Sequence, residues 1–188
     1  AGIQGMKAAR SIALLSYRNS YTYNLTQPRD KKTAWPVWHA FGGEAAAPRE
    51  DRAAVAAALM PRIRGLMTGG RTKVAHYSDD GEALEFVGSA DFAQLAAIGT
   101  SCPDHFLRTK IKPLILDESV YNLGGAELSK AIAAKLADYR ADYTAYYERC
   151  KRANSPALRD PNPVIILLPR IGMVAIAKDK ATARIAGE

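Results

Sequence analysis

The chain has 188 residues, of which 48% are hydrophobic and 24% charged, and this suits one globular domain with its own core. No apolar run approaches the roughly 20 residues of a membrane-spanning helix, and the first residues lack the pattern of a secretory signal. The net charge of +7 comes from cations dispersed among acidic residues, with no nucleic-acid-binding motif. We therefore expect neither nucleic acid nor a membrane as partner. The positive charge fits either a solvated basic surface or the binding of an anionic metabolite such as a sugar phosphate.

The N-terminal part divides into a leader and the beginning of a folded domain. Residues 1–38 combine a helical pattern with a charged, proline-bracketed linker, and residues 39–188 are predicted to fold together. Apolar residues at helical spacing predict a helix over residues 49–67, with a kink or break at Pro61. A strand is expected over residues 71–77.

Shorter elements follow. Residues 82–87 fit either a helix or a strand, and Ser89 suits the N-cap of a helix that ends at Gly99. The run KPLILDE, residues 112–118, has the composition of a strand that begins after a polar turn.

The C-terminal half contains the clearest patterns. Apolar and tyrosine residues recur every three or four positions from Ala126 to Lys151, which predicts the longest helix. The run VIILL has no polar alternation and predicts a strand buried on both faces, followed by a turn at Pro169–Gly172 and a second strand. Asp179 can cap a last helix. These elements mix without strict alternation, which predicts an α/β fold of the layered α+β kind, with a mostly antiparallel central sheet covered by helices.

The polar segment SCPDHFLRTKIKPL, residues 101–114, is the strongest candidate for a site, because it places chemically active side chains in a turn between core elements. Cys102 and His105 are spaced for a thiol–imidazole pair, with Asp104 beside them, and these three are the candidate catalytic residues. The three histidines of the chain share no helical or hairpin spacing, so we expect no metal site and no cofactor. Cys102 and Cys150 form no CxxC motif, which favours a reducing, cytoplasmic location.

A phosphate site is a competing interpretation of the same segment. Arg108, Lys110 and Lys112 alternate, so on an extended backbone they share one face, with hydroxyl donors at Ser101 and Thr109. The alternative for these cations is the solvated face of an edge strand, where lysines prevent aggregation.

From about Phe41 to Glu188 the chain resembles the bacterial bifunctional rhamnulose-1-phosphate aldolase/short-chain dehydrogenase proteins. The resemblance is carried by AFGGE, LMPRIRGLMTGG, LEFVGSADFAQLAAIGTSCPDHFLRTKIKPLILD, DYTAYYERCKRANSPALRDPNPV and IGMVAIAKDKATARIAGE. In that family such a block lies between a metal-binding class II aldolase module and a Rossmann dehydrogenase module. The resemblance therefore implies a class II aldolase-like fold and a fragment of a longer chain.

The resemblance also implies a lost metal site. Class II aldolases of this kind bind zinc through a His-x-His-Pro motif and a later His-Gly, and the comparable positions here are residues 100–103 and Arg170–Gly172. The imidazoles are absent at both positions, so the block resembles a degenerate second copy of the aldolase fold. The resemblance implies Pro-Gly just before this position, and Arg170 departs from that pattern, which argues against a tight turn there. Separately, residues 1–30 resemble a piece of the homoserine O-acetyltransferases, without a nucleophile elbow.

Together these observations predict an aldolase-like domain of a sugar-phosphate aldolase/short-chain dehydrogenase protein. Alone it is expected to lack lyase activity and to retain some affinity for a sugar phosphate. Its expected partners are the rest of a longer bifunctional chain and, in a homo-oligomer, a second copy of itself. Two alternatives stay open: a small enzyme that uses Cys102, Asp104 and His105, and a basic nucleic-acid-binding module.

Overall fold

The apolar residues 164–177 form the two central strands of a four-stranded sheet. A computed structural model describes residues 45–100 and 103–188. The strands are β1 Val74–Ser78, β2 Leu114–Ile115, β3 Ile165–Leu168 and β4 Gly172–Ala177. Their spatial order is β1-β4-β3-β2; β4 pairs antiparallel with β1 and with β3, and β2 pairs parallel with β3. The mostly antiparallel sheet is as predicted.

Helices cover this sheet in the described part of the chain. They are α1 Arg52–Met67, α2 Gly81–Gly88, α3 Phe92–Ile98, α4 Pro103–Thr109, α5 Gly125–Cys150 and α6 Lys180–Gly187. A 3₁₀ helix, Glu118–Asn122, joins β2 to α5. Over the residues that the structure describes, no helix is long and apolar enough to cross a membrane.

The core forms on both faces of the sheet because successive side chains of a strand point to opposite sides. On one face, Ile166, Leu168 and Val174 pack with the apolar sides of α1 and α5. On the other, Ile165 and Leu167 pack with residues of α2, α3 and α6. All four residues of β3 are buried, which confirms the strand predicted to be covered on both faces. Each such Leu or Ile stabilises the fold by about 1.5–3 kcal/mol.

Several predicted elements are confirmed with small changes of boundary. α5 occupies the predicted span, and the Asp179 carboxylate caps α6 by accepting a hydrogen bond from the Thr182 N–H at 2.7 Å. Gly99 ends α3 with a φ of +86°. Of the kink or break expected at Pro61, the break is absent, because α1 continues from Arg52 to Met67. The ambiguous residues 82–87 are helical.

Two local predictions are wrong. Ser89 does not cap α3; its hydroxyl donates to the Phe86 carbonyl at 3.0 Å and so closes α2, while Asp91 is the N-cap of α3. The strand expected over residues 112–118 is only two residues long, because the chain turns into the 3₁₀ helix after Leu116. The leader predicted over residues 1–38 lies outside the described residues.

Candidate functional site

The candidate catalytic residues lie at the start of α4. Ser101 and Cys102 are outside the described residues, whereas Asp104 and His105 occupy the first turn of the helix. Burial lowers the pKa of His105, so its imidazole is neutral at pH 7. Its Nδ1 atom is buried and has no hydrogen-bond partner among the described residues. The structure thus gives a neutral imidazole with one unused nitrogen, and the thiol–imidazole pair stays a prediction.

The extended cationic face predicted for Arg108, Lys110 and Lys112 is wrong. Residues up to Thr109 are helical, and Lys110 then adopts a left-handed φ of +67°. A helix followed by a left-handed residue breaks the alternation that an extended chain would impose. Arg108 and Lys112 are exposed, but Lys110 turns inward.

Lys110 lies at the centre of a polar cluster. Its ammonium group donates to the backbone carbonyls of Asp160 and Asn162 and lies 4.2 Å from the centroid of the Tyr143 ring. Burial lowers its pKa to about 8, against the opposing attraction of Asp160. Two hydrogen bonds and a cation–π contact therefore commit Lys110 to holding the 158–162 loop in place.

The Asp160 side chain is the acidic partner in this cluster. It forms an ion pair with Lys73, and its Oδ1 accepts from the backbone N–H of Asn162 at 3.0 Å and from the Asn162 Nδ2 at 2.7 Å. Burial raises the pKa of Asp160, but the bonds from Lys73 and Asn162 outweigh it and hold the pKa below its ordinary value. Asp160 is therefore ionised and fully engaged at neutral pH.

The same loop is fastened to the end of α1. Arg140 donates from Nη2 to the Leu66 carbonyl at 2.9 Å and from Nε to the Asn162 Oδ1 at 2.8 Å, and the Asn162 Nδ2 reaches the Met67 carbonyl at 3.4 Å. A cation at a helix C-terminus satisfies carbonyls that have no partner within the helix and complements the helix dipole. This contact fixes the loop against the body of the domain.

Between the end of α1 and this loop lies an open groove of about 670 Å³, which we call the 158–162 groove. It is lined by Met67, Thr68, Gly69, Arg71, Lys73, Leu158, Arg159, Asp160, Pro161 and Asn162. Sequence reasoning missed it. The available signal was the turn-rich run LRDPNP, residues 158–163, which includes an arginine.

The position compared with the aldolase His-Gly is a tight turn. The Ile171 N–H donates to the Leu168 carbonyl at 3.0 Å, and Arg170 adopts a φ of +60°. Contacts offset this strained backbone: the Arg49 N–H donates to the Arg170 carbonyl at 2.9 Å, and the Arg170 Nε donates to the Ala47 carbonyl at 2.7 Å. The prediction that Arg170 argues against a tight turn is wrong.

Gly172 has a packing role at this turn. Its φ is +138°, and a Cβ atom there would lie 2.4 Å from the Ser78 carbonyl oxygen at the end of β1. Only a residue without a side chain permits β4 to approach β1 this closely. The glycine is therefore required by the sheet itself, whatever chemistry the neighbouring residue carries.

Zinc does not fit the histidines that the structure describes. His76 lies in β1, and His105 lies in α4, which leads into β2 at the opposite edge of the sheet. Over the described ranges, no group of three or more His, Cys, Asp or Glu side chains is placed to hold a metal ion.

Comparison with known proteins decides the family. Residues 54–188 match the family described as aldolase class II, second domain. The chain belongs to that family. It is also 32% identical over 149 residues to the uncharacterized oxidoreductase YuxG of Bacillus subtilis (strain 168), a match that covers 78% of this chain and 22% of the relative. No solved structure matches. The class II aldolase resemblance is confirmed, and the chain spans about a fifth of this curated relative.

Proposed function

We propose that the chain is the second aldolase domain of a fused aldolase/oxidoreductase that acts on a phosphorylated sugar, with rhamnulose-1-phosphate as the expected substrate. The observation that carries the proposal is the family match over residues 54–188, together with a much longer relative named as an oxidoreductase. The fold supports it, since the sheet and the helices on its two faces pack into two apolar clusters within the same residues.

Within such a protein, we assign this domain a supporting role rather than the lyase reaction. The polar side chains of its main cluster hold the fold together: Lys110 and Arg140 bond backbone carbonyls, and Lys73 pairs with Asp160. Cleaving a ketose phosphate requires a group that polarises the carbonyl and stabilises the resulting enediolate, which zinc supplies in class II enzymes. His76 and His105 lie at positions that do not suit a shared zinc ion.

The proposed setting is cytoplasmic, with the rest of a longer bifunctional chain as partner and self-association into a homo-oligomer. The Cys150 thiol is free and exposed at the end of α5, which supports a reducing compartment. The chain is also proposed to retain phosphate affinity, although Lys110 is committed to the 158–162 loop and no longer shares a face with Arg108 and Lys112.

A lyase assay tests this proposal directly. The purified chain is incubated with rhamnulose-1-phosphate and zinc, and the released triose phosphate is measured by a coupled dehydrogenase assay. We expect release no faster than in a zinc-only control. Turnover by the chain alone would contradict the supporting role.

The second candidate function is a small enzyme built on Cys102, Asp104 and His105. One observation favours it: the buried, unpartnered Nδ1 of a neutral His105 is able to accept a proton from a nearby thiol or hydroxyl group. Selective alkylation of Cys102 with a bell-shaped pH profile, lost in His105→Ala, would support this function. Equal alkylation rates at Cys102 and at the exposed Cys150 would contradict it.

A further inference from the structure

The 158–162 groove has the dimensions of a small-ligand site. Its volume of about 670 Å³ lies within the range of roughly 300–1,000 Å³ that is typical of such sites. Met67, Leu158 and Pro161 give it apolar wall area beside the charged side chains. This combination suits a ligand with a short carbon skeleton and a charged end.

The charge in the groove is unbalanced. Three cations, Arg71, Lys73 and Arg159, line it together with one carboxylate, Asp160. Lys73 and Asp160 pair with each other, so their charges cancel locally. Arg71 and Arg159 are exposed and make no ion pair with any residue in the described ranges. Two guanidinium groups are therefore left to attract an anion.

The groups that would repel an anion are already covered. The Leu66 and Met67 carbonyls, at the negative end of the α1 dipole, accept hydrogen bonds from Arg140 and Asn162. Asp160 accepts from Lys73 and Asn162. The anchored groove thus presents its cations without a competing free carboxylate.

The backbone turns sharply at the end of α1, beside Arg71. The φ angle changes from −64° at Thr68 to +49° at Gly69 and +81° at Gly70. Side chains added at either glycine would meet no atom within 4 Å, so the backbone there faces open space. The turn is closed by the Arg71 N–H, which donates to the Thr68 carbonyl at 2.7 Å.

We propose that the 158–162 groove binds the phosphoryl group of a small phosphorylated metabolite through the guanidinium groups of Arg71 and Arg159. Guanidinium groups bind phosphate in a two-pronged geometry that a point charge cannot reproduce. The evidence for the groove is independent of any lyase reaction. This phosphate-binding proposal rests on the proposed function only for the choice of a phosphorylated polyol as probe.

The test is a calorimetric titration of the full chain with glycerol phosphate, inorganic phosphate and, as an uncharged control, glycerol. We expect both phosphates to bind and glycerol not to bind. Arg71→Ala and Arg159→Ala should each weaken binding about tenfold, and the double variant should abolish it, because each removes a charge-assisted contact. Arg71→Lys should weaken binding less than Arg71→Ala, since lysine keeps the positive charge but lacks the two parallel N–H donors of the guanidinium group.

Matched controls separate this groove from other cations of the chain. Arg64 is an exposed arginine of α1 that lines a different, smaller groove, so Arg64→Ala should leave binding unchanged. The Arg108→Ala/Lys112→Ala double variant should also have no effect. Absent binding in the unaltered chain, or binding lost in either control but kept in Arg71→Ala/Arg159→Ala, would overturn the proposal. Neither result depends on lyase activity. The binding proposal and the proposed function can therefore be contradicted independently of each other.

Discussion

In the described part of this domain, two places hold a non-glycine residue in the left-handed conformation, and they do so by different means. At the β3–β4 turn, Arg170 caps two strands whose side chains are almost all buried. At the end of α4, Lys110 sits in a polar cluster where its ammonium group binds two backbone carbonyls. At the first place, apolar packing and a close approach of strands set the position of the turn, and hydrogen bonds with residues 47 and 49 hold Arg170 in it. At the second it follows from side-chain hydrogen bonds to a distant loop.

The comparison shows which kind of geometry tolerates change. A tightly packed sheet has no room for an added atom, whereas a partly solvated cluster can replace a lost hydrogen bond with water. We therefore expect substitutions at the turn to cost more than substitutions in the cluster.

The largest effect is expected for Gly172→Ala. The added Cβ would lie 2.4 Å from the Ser78 carbonyl, at a φ of +138°, so β4 or β1 must shift. We expect a loss of about 3 kcal/mol or more in the free energy of unfolding, measured by urea denaturation.

The matched control is Gly65→Ala, because Gly65 lies inside α1 with nothing within 4 Å of an added Cβ. It should stabilise the chain by about 0.5–1 kcal/mol, since alanine favours a helix over glycine. Equal stability of the two variants would show that the close approach at Gly172 does not govern the sheet.

A smaller loss is expected for Lys110→Met. It removes the donor shared by the Asp160 and Asn162 carbonyls, and we expect a loss of about 2 kcal/mol in the free energy of unfolding. Lys112→Met, at an exposed neighbouring lysine, should change stability by less than about 0.5 kcal/mol. If Lys110→Met had the same free energy of unfolding as the parent chain, the hydrogen bonds of Lys110 would contribute nothing measurable to the stability of the fold.

The strain at the β3–β4 turn can be isolated by comparing Arg170→Gly with Arg170→Ala. Both lose the bond to the Ala47 carbonyl and the ion pair with Glu118. Only alanine keeps a Cβ at a φ of +60°, so the glycine variant should be the more stable by about 1 kcal/mol in thermal or urea denaturation. The opposite order would show that the left-handed conformation at Arg170 carries no strain.

The smallest effect concerns pH and the polar cluster. The folded-state pKa of Asp160 lies below its ordinary value of 3.8, so its ionised form stabilises the fold above that value, and the contribution is lost as pH falls through the folded pKa. The stability difference between the parent chain and Asp160→Asn should therefore shrink between about pH 5 and about pH 2. Urea denaturation across this range measures it, and a difference that stays constant would contradict the ion pair with Lys73.

Predictions of whole elements succeeded where the pattern is local, although the local predictions at Pro61 and Ser89 failed, and predictions of the site failed where partners are distant. The apolar residues that recur every three or four positions in α5 indicate a helix, and the unbroken apolar run of β3 indicates a buried strand. Neither inference needs information about distant residues. The cations at 108–112 were misplaced, because nothing local shows that the helix extends to Thr109 and that Lys110 then turns inward. The 158–162 groove was missed for the same reason.

The sequence alone determined the α5 helix, the doubly buried β3 strand and the cap at Asp179, since periodicity, hydrophobicity and capping act over a few residues. Only the tertiary structure decided the pairing of Lys73 with Asp160, which are 87 positions apart, and the contact of Lys110 with Asn162 across 52 positions. It also decided why residue 172 must be glycine, because the atom that excludes a side chain belongs to Ser78 on another strand. Contacts between residues so far apart leave no local pattern, and they exist only once the sheet and its helices have packed.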